Sequence, residues 1–169
     1  MFTRIDFSKL TLMDALDLAG LIEVEAFQRY LLFATQLGQR DPEDAGSVFQ
    51  AMAANEKKHG EQLARRRRTH FGDAPARVTL DDIFDVEAPE VGAPRWNMSP
   101  LKAFEVALGA ERKAFAFYDQ ALPALQQQDV RALFEELREE EAEHIRMIEA
   151  IIAKLPPEAA SDLEDEDTA

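Results

Sequence analysis

An all-α fold, an antiparallel four-helix bundle made of two helical hairpins joined by a long crossover, is predicted by three features of the 169-residue sequence. Four long segments carry apolar residues at helical intervals, the members of each pair of segments are only a few residues apart, and the second pair repeats the chemistry of the first. A single domain of this length buries roughly two thirds of its surface, enough for an ordinary core without staples.

The first segment opens on Thr11 and Asp14, at capping-box spacing with Asp in the third position, and stops at Gly38. Its inward stripe reads Leu12, Leu16, Ala19, Glu23, Ala26, Tyr30, Phe33 and Leu37, so one carboxylate stands on an otherwise apolar face. The second has Asp41 as N-cap and Pro42 in the first turn, and continues to about His70, a lone histidine at a helix end with no assigned role. Their short connection forces an antiparallel hairpin. The third begins at Ser99 and Pro100 and extends past Tyr118, with Pro123 ending or kinking it. The fourth starts around Asp129 and ends at Pro156, after Leu155, which completes the second hairpin.

Between the hairpins lie Phe71 to Ser99, 29 residues with three prolines and two glycines. In a bundle this length serves as a crossover, letting the third helix run parallel to the second. Within it "RVTLDDIF" is expected to add a short strand or a helical turn, and Trp96 to cover the end of the core. The bundle is thus assigned to residues 1–155. The remainder, 156–169, has six acidic residues and no Lys or Arg, and is expected to be a disordered tail.

The net charge of −14 argues against nucleic acid as a partner, and the one basic run, Arg65 to Arg68, closes a helix where cations favour the dipole. The absence of cysteine excludes disulfides, thiolate metal sites and iron–sulfur centres in this polypeptide. Any metal must be held by carboxylate and imidazole. No apolar run approaches a membrane span, and the N-terminal stretch is broken by Asp6 and Asp14, so a cytoplasmic protein is expected.

An internal duplication carries the functional signal. "AGLIEVEAFQRY" (Ala19 to Tyr30) matches "ALGAERKAFAFY" (Ala107 to Tyr118), pairing Glu23 with Glu111 and Tyr30 with Tyr118 at an offset of 88. "FQAMAANEKKHGEQL" (Phe49 to Leu63) matches "FEELREEEAEHIRMI" (Phe134 to Ile148), pairing Glu56 with Glu141 and His59 with His144 at an offset of 85. Each copy therefore supplies one Glu on its first helix and a Glu-x-x-His on its second. Residues at i and i+3 share a helix face, so a carboxylate and an imidazole can reach one metal. Four buried carboxylates would be costly without cations, and four Glu with two His suit a pair of divalent ions, iron or manganese ahead of zinc. The candidate metal ligands are Glu23, Glu56, His59, Glu111, Glu141 and His144. Glu25 is assigned to a flank, and Glu139, Glu140 and Glu143 are expected to face water. Tyr30 and Tyr118 are either plain core aromatics or, preferably, donors of a hydrogen bond to a ligand carboxylate.

On these residues the sequence resembles the rubrerythrin family of the ferritin-like superfamily, in a form lacking a rubredoxin domain; "ERKAFAFYDQAL" and "VRALFEELREEEAEHI" are especially similar. The resemblance implies two irons bridged by Glu56 and Glu141, with Glu23 and His59 completing one and Glu111 and His144 the other. It also implies a homodimer and a separate electron-donor protein, since no cysteine is present to form a rubredoxin site. The family's additional Glu, one turn after the third-helix ligand, is Ala114 here, and its counterpart on the first helix is Ala26. The leading expectation is a di-iron oxidoreductase acting on hydrogen peroxide or dioxygen. Iron oxidation for storage or detoxification, and a non-catalytic metal-binding or structural bundle, are the alternatives.

Overall fold

The structure, a computed structural model, describes residues 5–38, 45–79, 81–82 and 98–160. Four helices dominate: α1 (Leu12–Leu37), α2 (Ala45–Phe71), α3 (Pro100–Ala121) and α4 (Gln128–Ile152), with no strand among the described residues. The expected caps at Thr11 and Ser99 form. Thr11 Oγ1 accepts a hydrogen bond from the Asp14 amide while Asp14 accepts from the Thr11 amide, satisfying two otherwise orphaned donors at the start of α1. Gly38 ends α1 with φ 76°, a conformation that costs other residues a steric penalty. Ser99 caps α3, and Pro123 follows its last turn inside a short 3₁₀ segment, Leu122–Ala124.

Two apolar clusters hold the bundle together. One joins the first half of α1 (Leu16, Leu18, Ile22) to Leu63 of α2, Phe117 and Tyr118 of α3, and Leu133, Phe134 and Leu137 of α4. The other joins the second half of α1 (Tyr30, Phe33) to Phe49 and Met52 of α2, Phe104 of α3 and Ile148 of α4. The C-terminal part of α2 thus shares an end of the bundle with the C-terminal part of α3, the parallel arrangement the crossover permits. Phe49 stacks on Phe104 with ring centroids 4.6 Å apart, and Tyr118 meets Phe134 edge-on at 5.1 Å. Each fully buried Phe contributes about 1.5–3 kcal/mol.

The basic run does more than complement a dipole. Arg67 holds Asp17 of α1 through Nε and Nη2 at 2.8 and 3.2 Å and donates to the carbonyls of Gly72 and Ala74, fixing the chain as it leaves α2. Arg77 then reaches back to Asp14 at 2.7 and 3.0 Å, tying the crossover to the α1 cap. Burial pushes the Asp14 carboxyl up, but hydrogen bonds from Thr11 and Arg77 outweigh it and hold the carboxyl below its ordinary value. Of "RVTLDDIF", Asp81 and Asp82 are helical and Thr79 donates its amide to Asp82, a turn rather than a strand.

Two boundaries differ from expectation. α4 ends at Ile152, three residues before Leu155, in a turn closed by Lys154 N to Ile151 O and Leu155 N to Ile152 O. The chain beyond Pro156 is not structureless throughout, because Pro157–Ala160 forms a 3₁₀ turn with Ala159 buried. The expected cap at Asp41 and Pro42, the cover at Trp96, and residues 161–169 of the acidic segment lie outside the described residues. Among the described residues, no helix is long and apolar enough to cross a membrane.

Candidate metal centre

The layer between the two apolar clusters is polar. Glu23 of α1, Glu56 of α2, Glu111 of α3 and Glu141 of α4 project into it, each between 3% and 6% exposed, and His144 joins them at 8%. His59 lies at the edge, its side chain 17% exposed. The duplication accounts for this convergence: each carboxylate occupies the same place in its helical stripe as its copy, so packing the stripes together brings the four to one level.

The distances divide the layer into two halves. His144 Nδ1 is 3.2 Å from Glu111 Oε2, 3.6 Å from Glu56 Oε1 and 3.7 Å from Glu141 Oε2. His59 Nδ1 is 3.9 Å from Glu23 Oε2 and 4.0 Å from Glu140 Oε2. The two imidazoles lie nearly parallel, 5° apart in plane with centroids separated by 5.7 Å. Among the described residues, donor atoms within mutual reach of a single cation fall into three groups: Glu56, His59 and His144; Glu23, His59 and Glu140; Glu111, Glu141 and His144.

The electrostatics are those of acids forced together out of water. Burial first, then the adjoining Glu56 carboxyl and the charges of Glu141 and Glu140, push Glu23 up to about 11. Glu141 is raised well above its ordinary value by burial and by Glu111, with His144 opposing. Burial pulls the His144 imidazole down, but hydrogen bonds to Glu111 and Glu141 and the charges of Glu56 and Glu111 carry it up to about 11. A cation between these groups would reverse the effect by favouring ionised carboxylates and neutral imidazoles. Within this layer the buried atoms Glu23 Oε2 and His59 Nδ1 have no hydrogen-bond partner among the described residues. Oxygen and imidazole donors left unpaired in a buried polar layer fit a divalent metal pair.

A narrow pocket between α1 and α3 opens onto the carboxylates. Ile22, Ala26, Ala110 and Ala114 form its walls, Arg29 stands at its lining, and it has room for about one water-sized guest. The two alanines at 26 and 114 leave this space.

Three placements differ from the sequence reading. Glu140 does not simply face water: it is 35% exposed and turned toward His59, and burial raises its carboxyl above the ordinary value against the opposing charge of His59. The reason is geometric, since Glu140 lies at the margin of the α4 stripe, where α2 approaches. Asn55, which the sequence reading passed over, places Nδ2 3.2 Å from His144 Nε2. Both could have been found, because each directly precedes the Glu of a Glu-x-x-His and they are copies of one another at the offset of 85. Third, the Tyr30 hydroxyl is buried without a hydrogen-bond partner among the described residues, so the expected bond to a carboxylate is not made; its ring packs with Phe49 instead. Glu139 and Glu143 are exposed, as expected, and Glu25 belongs to none of the three groups.

The family profile described as ferritin-like domain matches residues 17–157. Among solved structures, an uncharacterized conserved protein from Magnetospirillum magnetotacticum is 28% identical, with a TM-score of 0.72, covering 87% of this chain and 97% of that one. No curated protein matches the chain.

Proposed function

The chain belongs to the ferritin-like domain family, and from that premise we propose that it is a di-iron oxidoreductase of the rubrerythrin type, reducing hydrogen peroxide or dioxygen with electrons from a separate donor protein. The observation that carries this reading is the convergence of four buried glutamates and two histidines from all four helices, with donors of Glu23 and His59 left unpaired. Glu23 with His59 and Glu111 with His144 would each hold one ion, and Glu56 and Glu141 would be shared between them. When bound, the iron pair supplies two electrons, so that one peroxide and two protons give two waters. The chain's part is to hold these donors at one level between apolar clusters that exclude bulk water, and to admit only a small oxidant past Ala26 and Ala114. Iron or manganese is favoured over zinc because the reaction needs a redox-active ion, and the resemblance to rubrerythrins favours iron of the two.

Iron-loaded protein should consume peroxide faster than the same iron free in solution, and Glu56→Ala or Glu141→Ala should abolish the difference. A wild-type rate no better than free iron sinks the reading.

Ala26 and Ala114 favour a second reading, in which Fe(II) is a substrate oxidised for storage or detoxification, because they leave the ligand set as symmetrical as that of a ferritin. Storage needs a closed shell, so elution from a sizing column as a large cage supports it, whereas a dimer supports the redox enzyme. We favour a homodimer, supported by the exposed Val24, Leu31 and Leu32 on α1, and propose a cytoplasmic location for it.

A further inference from the structure

The duplication makes the two halves of the centre look equivalent, yet their donors are in different states. Around His144 both ring nitrogens are engaged, Nδ1 by Glu111 at 3.2 Å and Nε2 by the Asn55 amide at 3.2 Å. Around His59, Nδ1 and the nearby Glu23 Oε2 are buried and have no hydrogen-bond partner among the described residues. A third donor stands there, Glu140 Oε2, 4.0 Å from His59 Nδ1. Asn55 and Glu140 are the same position in the two repeats, so the sequence has placed a neutral amide beside one histidine and a carboxylate beside the other.

We propose that Glu140 is a further metal-binding carboxylate, and that with Glu23 and His59 it makes this half the position that takes the first divalent cation. The inference rests on the metal centre proposed above. An ion entering the His59 half finds Glu23 Oε2 and His59 Nδ1 without partners to displace among the described residues, and meets two carboxylates and an imidazole within mutual reach. An ion entering the His144 half must displace the His144–Glu111 contact and finds an uncharged amide where the other half has an acid. Hard divalent cations prefer the anionic oxygen. Glu140 also supplies a way in. Its side chain is 35% exposed on the seam between α2 and α4, one turn from the exposed Glu136, so a hydrated ion can exchange water for carboxylate before reaching Glu23.

The test is an anaerobic titration of the full chain, stripped of metal, with Co²⁺, followed by calorimetry and visible absorption. The wild type should bind in two resolved steps, and Glu140→Gln should weaken the tighter one by about 10–100-fold. Glu143→Gln, which removes the same charge from an exposed neighbour, should leave both steps unchanged. Two indistinguishable steps in the wild type, or a Glu140→Gln isotherm that overlays that of Glu143→Gln, overturns this inference and leaves the metal centre standing. A chain that binds no divalent cation overturns both.

Discussion

Replacing Glu23 by glutamine should stabilise the metal-free protein at pH 7 and flatten its pH dependence. Glu23 is 3% exposed, and burial, the Glu56 carboxyl and the charges of Glu141 and Glu140 push it up to about 11 from an ordinary 4.5. Between these values the folded chain keeps a proton that the unfolded chain releases. The contribution is therefore fully present below pH 4.5 and falls by about 1.4 kcal/mol per pH unit as pH rises toward the folded value. By pH 7 the loss is roughly 3 kcal/mol. Glutamine is neutral in both states and escapes it, while filling nearly the same volume. For a domain of this size that corresponds to a melting temperature about 6–12 °C higher. Thermal unfolding in EDTA from pH 5.5 to 8.5, followed by circular dichroism, measures the effect. The wild-type profile should be steeper than the variant's by one proton. The same variant should lose the stabilisation that the wild type gains from a divalent ion, about 2.7 kcal/mol at a hundredfold excess over Kd. A Glu23→Gln protein less stable than wild type at pH 7 without metal, or two parallel pH profiles, would refute the reasoning.

The remaining predictions concern residues outside the ligand set. Tyr30→Phe removes a buried hydroxyl that has no partner among the described residues, so it should be neutral or stabilising by up to about 1 kcal/mol in chemical denaturation; a loss of that size would reveal a partner. Thr11→Ala breaks the α1 capping box and should cost about 1 kcal/mol, with a fall of about 2–4 °C in melting temperature. Because Asp14 is held below its ordinary 3.8, its contribution is present above that pH and lost as pH falls through the folded value, and Asp14→Asn should lose this acid-side dependence.

Much of the fold was legible because its determinants are local. Thr11, Gly38, Ser99 and Pro123 act on the backbone beside them, and the caps and stops formed where their chemistry requires. The arginine run was only partly legible. A helix-end cation is a local feature, but the Arg67 grip on Asp17 and on the carbonyls of Gly72 and Ala74 spans two elements and a turn. The end of α4 was misplaced by three residues because Pro156 marks where a helix cannot continue, not where it stops.

The sequence by itself determined the bundle, the pairing of its hairpins and the six candidate ligands. A duplicated helical period places Glu23, Glu56, Glu111 and Glu141 on four equivalent stripes wherever those stripes meet. Only the tertiary structure decided the state of the donors: His144 engaged by Glu111 and Asn55, His59 and Glu23 unpaired, and Glu140 drawn to the seam between α2 and α4. Periodicity assigns a residue to a face of its own helix, but for a residue at the margin of that face the distance to the neighbouring helix determines whether it meets water or another ligand.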